Sequence, residues 1–346
     1  MKVLLPQKTL LEALKKVWLT VSDKKDASEL HKCLCFADNK VSSFNGHAGL
    51  ITKCELNGLA FIVKADLLFS LVKSLSGDIE FIKDVGSLTI KAGKHKTKIG
   101  LYNSDSFFDV IPARSDKFCE ATNLIDAIKK VKFSISTNKS KPELCGIAFY
   151  NEHVYSCDNK SVTRVKLNAP VNGYINFPST AIDVLESVGQ PDYLFLSGNG
   201  LVGFLKASEK TVFTSTSQVG LLPVKEIDQM LSKPVSGEVI FPTELPEVIK
   251  RLKLVMVNNL GLAEMSFTHK DGVLTIHAQN KGVGEAEESI DWPDCKYEFT
   301  FNVNPDLLLE VLKFTHCVDL TDVLSGQRRS LRFVGEGFDH IMGLMT

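Results

Sequence analysis

Three segments of this chain can be laid under one another: KVLLPQKTLLEALKKV from Lys2, KFCEATNLIDAIKKVKF from Lys117 and GEVIFPTELPEVIKRLKL from Gly237. Each reads as a short strand, a turn and an amphipathic helix, recurring at intervals of about 115 to 120 residues. A chain that repeats one supersecondary unit at this spacing is restricted to tandem copies of one domain. The 346 residues divide into repeats 1–116, 117–234 and 235–346.

The helical reading rests on periodicity. In the first helix Leu10, Leu11, Leu14 and Trp18 form an apolar stripe, with Lys15 and Lys16 turned away from it. Leu124, Ile125, Ile128 and Val131 repeat the stripe against Lys129, Lys130 and Lys132. Leu245, Val248, Ile249 and Leu252 do so against Lys250, Arg251 and Lys253. A second strand and helix follows inside each repeat: LAFIVKADLLFSLVKSL from Leu59, GYINFPSTAIDVLESV from Gly173 and YEFTFNVNPDLLLEVLKF from Tyr297. Asn304 before Pro305 supplies an N-cap and a first-turn proline, and Ser179 or Thr180 is placed to cap the middle helix. Between the helices, short alternating runs such as GSLTIKAGKHKTKIGLY from Gly86 and DGVLTIHAQNKG from Asp271 read as antiparallel hairpins. Each repeat is therefore an α+β unit, two helices packed on antiparallel sheet.

Composition narrows what such a chain does. Hydrophobic residues make up 44% and charged residues 23%, as in a folded protein, and no segment has the low hydrophobicity and high charge of disorder. The opening apolar run is broken by Pro6 and lysines, which fits neither a signal peptide nor a membrane span, so the cytoplasm is the expected location. The eight cysteines (33, 35, 54, 119, 145, 157, 295 and 317) form no CxxC pair and read as reduced, mostly buried thiols. Cys33 and Cys35 share one face of a strand. His31, His47 and His95 match no metal template, so neither metal nor cofactor is expected.

Formal net charge is -1, without the basic excess usual for nucleic-acid binders, but a sum hides distribution. Cations gather toward the C-terminal halves of five of the six helices: Lys15 and Lys16, Lys73, Lys129 and Lys130, Lys250 and Arg251, and Lys313. Any helix end favours cations through its macrodipole; the recurrence on one architectural face points further. Carboxylates collect instead in strands and loops, as in GDIEFIKD from Gly77 and GEAEESIDWPD from Gly284. The sequence contains no GxxxxGK[ST], no GxGxxG opening a helix, no HExxH and no GxSxG, so no enzymatic activity is expected.

Taken in order, local patterns along the whole chain resemble the bacterial DNA polymerase III beta subunit, the sliding clamp. They are LLEALKKV, IVKADLLFSLVKSL and the FFDVIP exit from Phe107 in the first repeat; FSIS from Phe133, ELCGIAF from Glu143 and FTSTSQVGLLP from Phe213 in the second; FNVNPDLLLEVL from Phe301 and the tail IMGLMT from Ile341 in the third. The resemblance implies three tandem clamp domains assembled into a ring that encircles duplex DNA as a head-to-tail homodimer and tethers the replicative polymerase. Packing arithmetic agrees on the need for two chains. Six helices side by side at about 10 Å give a perimeter near ~60 Å and a hole of only ~9 Å, whereas twelve open it to ~28 Å. A duplex whose major groove alone is about 12 Å wide passes only the second.

Carried over by position, the resemblance implies sequence-independent DNA contacts at Lys24, Lys25, Lys64, Lys73, Asn138 and Lys141. It implies a pocket for short peptide motifs of DNA polymerase and clamp-loader subunits, formed by Leu144, Cys157, Asn159, Lys160, Ser161, Val162, Pro223, Asn302, Pro305, Met342, Gly343, Leu344 and Met345. It implies a dimer interface at Thr97, Leu254 and Val255. The pocket departs from the family pattern: its usual Thr-Asp-Gly-His-Arg-Leu run is Cys157 to Val162 here, and its Met-Pro-Met-Arg-Leu type of tail is Met342 to Thr346. Such divergence suits a phage, plasmid or accessory copy serving its own polymerase. The alternative is a clamp-like interaction scaffold that does not load onto DNA.

Overall fold

Runs of alternating apolar residues build, among the residues that this computed structural model describes, four antiparallel sheets with helices laid against them. The structure describes residues 2–103, 118–196, 201–207, 211–216, 220–256, 265–280, 284–326 and 329–345. The FFDVIP exit at 107–112, residues 217–219 of the FTSTSQVGLLP stretch and Thr346 lie outside them. By its packing the chain forms two units, Met1–Ile125 with Asn168–Val219 and Asp126–Leu167 with Gly220–Thr346. It passes from one to the other three times, within helix α3 (Leu124–Val131), within strand β11 (Ser161–Pro178) and between Val219 and Gly220.

The first unit begins with β1 (Lys2–Pro6) and α1 (Gln7–Trp18), then β2 (Cys33–Ala37), β3 (Lys40–Phe44), β4 (Ala48–Lys53) and β5 (Phe61–Lys64). It continues through α2 (Ala65–Ser74), β6 (Asp78–Asp84), β7 (Ser87–Ala92) and β8 (His95–Gly100). From later in the chain it takes β9 (Phe118–Glu120), α4 (Ile182–Val188), β12 (Tyr193–Leu196), β13 (Leu201–Lys206) and β14 (Thr211–Thr216). One sheet runs β1-β6-β7-β8 and the other β5-β2-β3-β4-β14-β13-β12-β9. The β4–β14 ladder, Val212 opposite Ile51 through Ser215 opposite Ala48, joins strands of the first and second repeats. Leu10, Leu14 and Val17 of α1, with Leu68 and Val72 of α2, have no exposed surface, and each such side chain is worth roughly 1.5 to 3 kcal/mol of burial. The stripe expected through Trp18 is displaced by one position. Ala13 and Val17 take the inner face, while Trp18 stays 37% exposed and stacks on Phe69 of α2.

The second unit contains β10 (Gly146–Cys157), α5 (Val224–Leu231), β15 (Glu238–Ile240), α6 (Leu245–Leu252), β16 (Met265–Lys270) and β17 (Val273–Asn280). It closes with β18 (Gly284–Asp291), β19 (Phe299–Val303), α7 (Pro305–Val311), β20 (Cys317–Asp319), α8 (Thr321–Leu324), β21 (Ser330–Gly335) and β22 (Phe338–Gly343). Its sheets run β10-β11-β22-β21-β20-β15 and β18-β17-β16-β19. The β16–β17 hairpin turns through Asp271 (φ 51°) and Gly272 (φ 78°), two successive left-handed residues of the kind that match the twist of paired strands. The expected stripe of α6 is confirmed, since Leu245, Val248, Ile249 and Leu252 are all buried.

The six recurrent helices are present, and α5 and α8 are additional. The Asn304 side chain caps α7 by accepting from the backbone N–H groups of Asp306 and Leu307. Ser179 and Thr180 do not cap α4. They lie in a 3₁₀ turn, Ser179–Ala181, and the N-cap position falls on Ala181, whose methyl accepts nothing. Lys313 lies two residues past the end of α7 and not inside it. All eight cysteines are free thiols; Cys33, Cys54, Cys119 and Cys295 are buried and the other four are half-buried. Among the described residues no His, Cys, Asp or Glu group is poised to hold a metal ion, and no helix is long and apolar enough to cross a membrane.

Candidate functional site

Two cavities open in the second unit, and both are built around one tight turn. β10 ends at Cys157 and β11 starts at Ser161, so three residues reverse the chain. Asp158 fixes that turn by accepting from the N–H of Lys160 (3.0 Å), the N–H of Ser161 (2.7 Å) and the Ser161 hydroxyl (2.9 Å). Asn159 takes the left-handed conformation (φ 73°) that asparagine tolerates. Beside the turn runs β22, in register with β11 from Ser161 opposite Met342 to Val165 opposite Phe338. The last residue of β22 and the two that follow are tied down individually: Gly343 N–H donates to Lys160, Leu344 N–H to Arg329 and Met345 N–H to Asn302, each at a backbone oxygen.

The larger cavity, about 1030 Å³, is walled by Phe133, Pro246, Leu307, Leu309, Leu312, Leu344 and Met345, with Asn159 and Lys160 at its edge. Several of the charges around it are matched in pairs, Lys253 with Asp306 and Lys313 with Glu310. The smaller, about 400 Å³, has Cys157, Val162, Met230, Pro234 and Ile341 as its apolar lining, and Lys160, Lys233, Arg329 and Arg332 among its polar one. Asn159, Lys160 and Gly343 belong to both, so the two form one groove.

Of the residues expected in a pocket, Asn159, Lys160, Gly343, Leu344 and Met345 line the larger cavity, and Cys157, Ser161 and Val162 join the smaller. Five line neither. Met342 and Leu144 are buried, Met342 completely. Pro223 is the exposed N-cap of α5, Pro305 is buried at the first position of α7, and Asn302 contributes its backbone by bridging Met345. Sequence reading missed the contributions of Phe133, Met230, Lys233 and Arg329, each on a segment remote from the motif it joins. Burial holds the Cys157 thiol above its usual pKa, against the partial opposition of a backbone N–H from Asn159, so it stands in the wall as a neutral thiol.

The expected DNA contacts fall on separate elements. Lys24 and Lys25 are exposed in the loop after α1, where the Lys24 N–H donates to Ser22 Oγ and Lys32 Nζ donates to the Lys25 carbonyl. Lys64 is the N-cap of α2 and Lys73 lies in its last turn, about 14 Å further along the helix axis. Glu29 lies near Lys64, and its carboxyl is held below the usual range first by Lys32 and then, against desolvation, by Lys64. In the second unit Asn138 is exposed, and Lys141 Nζ donates to Asn159 Oδ1 at 3.0 Å. The structure thus joins a residue expected on DNA to one expected in the pocket. Two helix cations and one just past a helix end are matched by acids one turn away: Lys130 with Asp126 at 2.8 Å, Lys250 with Glu247 at 2.7 Å and Lys313 with Glu310 at 2.6 Å.

Thr97 and Leu254 mark the third expected surface. Thr97 is half-buried on β8, an edge strand of its sheet, with its hydroxyl 2.7 Å from His95 Nε2. Leu254 is 73% exposed and Val255 half-buried in the 3₁₀ turn after α6. β18 is likewise an edge of the other four-stranded sheet.

The whole chain superposes on solved DNA polymerase III beta subunit sliding clamps. It covers 100% of itself and of the Pseudomonas aeruginosa beta subunit at 18% identity and a TM-score of 0.84. For the Streptococcus pyogenes beta subunit the figures are 16% and 0.85 over 100% of both chains. For the Bacillus subtilis clamp they are 16% and 0.85 over 100% of this chain and 99% of that one. These likenesses establish the sliding-clamp fold. No model of a known family and no curated protein sequence matches the chain.

Proposed function

We propose that this chain is a sliding clamp: a cytoplasmic, non-enzymatic processivity factor that closes as a head-to-tail homodimer around duplex DNA and tethers a DNA polymerase. In this reading repeats 1–116, 117–234 and 235–346 are its three clamp domains. The observation that carries it is a pair of unlike open edges. β8, His95-Lys-Thr-Lys-Ile-Gly100, has Lys96 and Lys98 exposed, while β18, Gly284-Glu-Ala-Glu-Glu-Ser-Ile-Asp291, has Glu285, Glu287 and Asp291 exposed. Edge strands of a soluble protein are hazards unless paired or blunted, and edges of opposite charge pair with each other in preference to themselves. Joining β8 of one copy to β18 of a second, twice, is a heterologous contact that closes. Thr97 on one edge and the exposed Leu254 and Val255 near the other supply apolar contact for the same junction.

Within the ring, Lys24, Lys25, Lys64, Lys73, Asn138 and Lys141 meet phosphates without reading bases, which permits sliding. The groove of the second unit receives the peptide motifs of polymerase and clamp-loader subunits. Two measurements test the reading together. Sedimentation over a dilution series is expected to show a dimer, and the loaded protein is expected to stay on closed circular DNA and run off the same DNA once linearised. Equal loss from both forms would rule out topological binding.

One observation favours a scaffold that keeps the fold without loading onto DNA. Lys130, Lys250 and Lys313 are each neutralised by a carboxylate on their own helix or its end, which weakens the field available to phosphate. The same retention assay separates the two.

A further inference from the structure

The two halves of the groove differ in charge, and the difference specifies a ligand. Around the larger cavity Lys250, Lys253 and Lys313 are matched by neighbouring carboxylates. Around the smaller one Arg332 is matched by Asp339, whereas Lys233 and Arg329, with Lys160 between the two cavities, make no ion pair among the described residues. Its floor is apolar: Val162 and Ile341 are cross-strand partners, with the 43% exposed Met230 beside them. Lys160, Lys233 and Arg329 stand around that floor, all three exposed.

The two acids that line this cavity, Asp319 and Asp322, are engaged in hydrogen bonds with neighbouring groups. Asp319 accepts from the Gly237 N–H (3.2 Å), the Thr321 N–H (3.0 Å) and the Thr321 hydroxyl. Asp322 accepts from the Ser330 hydroxyl at 2.6 Å. Two of the cations are held at the rim by the backbone. Arg332 donates to the Lys233 carbonyl at 2.7 Å while paired with Asp339, and the Arg329 carbonyl accepts from the Leu344 N–H at 3.0 Å.

We propose that the partner of this groove is an acidic peptide, in which an apolar side chain seated on Val162 and Ile341 is flanked by carboxylates that lie against Lys160, Lys233 and Arg329. This rests on the reading of the groove as a peptide site and adds the charge that selects among peptides. A recess of about 400 Å³ with an apolar floor admits an apolar side chain or two, which a peptide supplies together with carboxylates for the rim, whereas a phosphate backbone would leave the floor uncovered. Exposed cations at a rim choose partners more than they add affinity, so the effect is one of selection.

The test is fluorescence anisotropy on the full-length protein with three labelled hexapeptides. They share a Leu-Phe core and carry Asp, Asn or Lys on both sides of it. At low salt the Asp peptide is expected to bind about tenfold more tightly than the Asn peptide, and the Lys peptide more weakly still. That preference should fall toward unity in high salt and in the Lys233→Glu/Arg329→Glu variant, with Lys233→Gln/Arg329→Gln intermediate and both variants melting like the parent.

Equal binding of the Asp and Asn peptides, with loss of both when Leu-Phe becomes Gly-Gly, would overturn the acidic selection and leave the peptide site standing. Binding of none of the three would remove the peptide site itself. Displacement of the Asp peptide by a single-stranded oligonucleotide, abolished in Lys233→Glu/Arg329→Glu, would reassign the three cations to nucleic acid.

Discussion

A histidine sealed from water resists protonation, and His340 on β22 is sealed completely. Its Nδ1 lies 2.9 Å from the Thr163 hydroxyl, which is 2.6 Å from that of Ser134; Phe133, Phe333 and Phe338 surround the ring. Burial pushes its pKa from 6.5 down to about 3. The unfolded chain therefore binds a proton that the folded chain refuses, so stability present above the unfolded pKa is lost as pH falls below it. Between about pH 7.5 and about pH 5.5 this one group should remove roughly 1.4 kcal/mol. Burial also lowers the pKa of His31 and His153, which act in the same direction. Chemical denaturation of His340→Gln at both pH values isolates its part; a pH dependence as steep as that of the parent would refute it. Asn304→Ala removes the cap that accepts two N–H groups of α7 and should cost about 1 kcal/mol in the same assay, with no pH dependence. The two residues differ in legibility. Asn304 was readable because a cap and its proline are adjacent in sequence, whereas His340 is buried by a strand whose facing residue is 177 positions away.

Elements were legible where their own periodicity decides their burial. α6 and α3 follow their apolar stripes, and the hairpins follow their turn residues. α8 escaped because four residues are too few for a stripe to declare itself, whereas α5 carries one, Val224, Ile227 and Leu231, but lies outside the recurrent strand–turn–helix pattern. Trp18 was misplaced because α1 has apolar residues on two sides, and only its packing beside α2 selects the inner one. In the proposed ring the role of the edge strands follows from their charge. Lys96→Glu/Lys98→Glu on β8 should turn the dimer into a monomer, and so should Glu285→Lys/Glu287→Lys on β18, since like charges then face each other across the ladder. Mixed in equal amounts, the two variants should pair with each other through one native junction, Lys on β8 against Glu on β18, and one charge-swapped junction, Glu on β8 against Lys on β18, and sediment as a dimer. A mixture that stays monomeric, or single variants that stay dimeric, would place the subunit contact elsewhere.

At the scale of the whole molecule, sequence and packing divide the chain differently. Three repeats are written in the sequence, yet two units form. β14 of the second repeat ladders onto β4 of the first, and β11 of the second onto β22 of the third, so the middle repeat is shared between the units. No periodicity in one repeat announces a strand pairing with another. The groove was for the same reason only half legible, its turn and tail being readable while Met230, Lys233 and Arg329 arrive through tertiary folding. Charge follows the same logic, because a total of -1 is compatible with a ring that binds a polyanion only if the lysines are placed on the face that meets it. Each cation that contacts a phosphate adds about 0.9 to the slope of log affinity against log salt. Replacing Lys24, Lys25, Lys64 and Lys73 by alanine should therefore weaken binding to duplex DNA at low salt and flatten that slope, independently of DNA sequence. The dimer should survive, since none of the four lies on β8 or β18. A titration in which affinity falls while the slope is unchanged would mean that these lysines act on the fold and do not face the duplex.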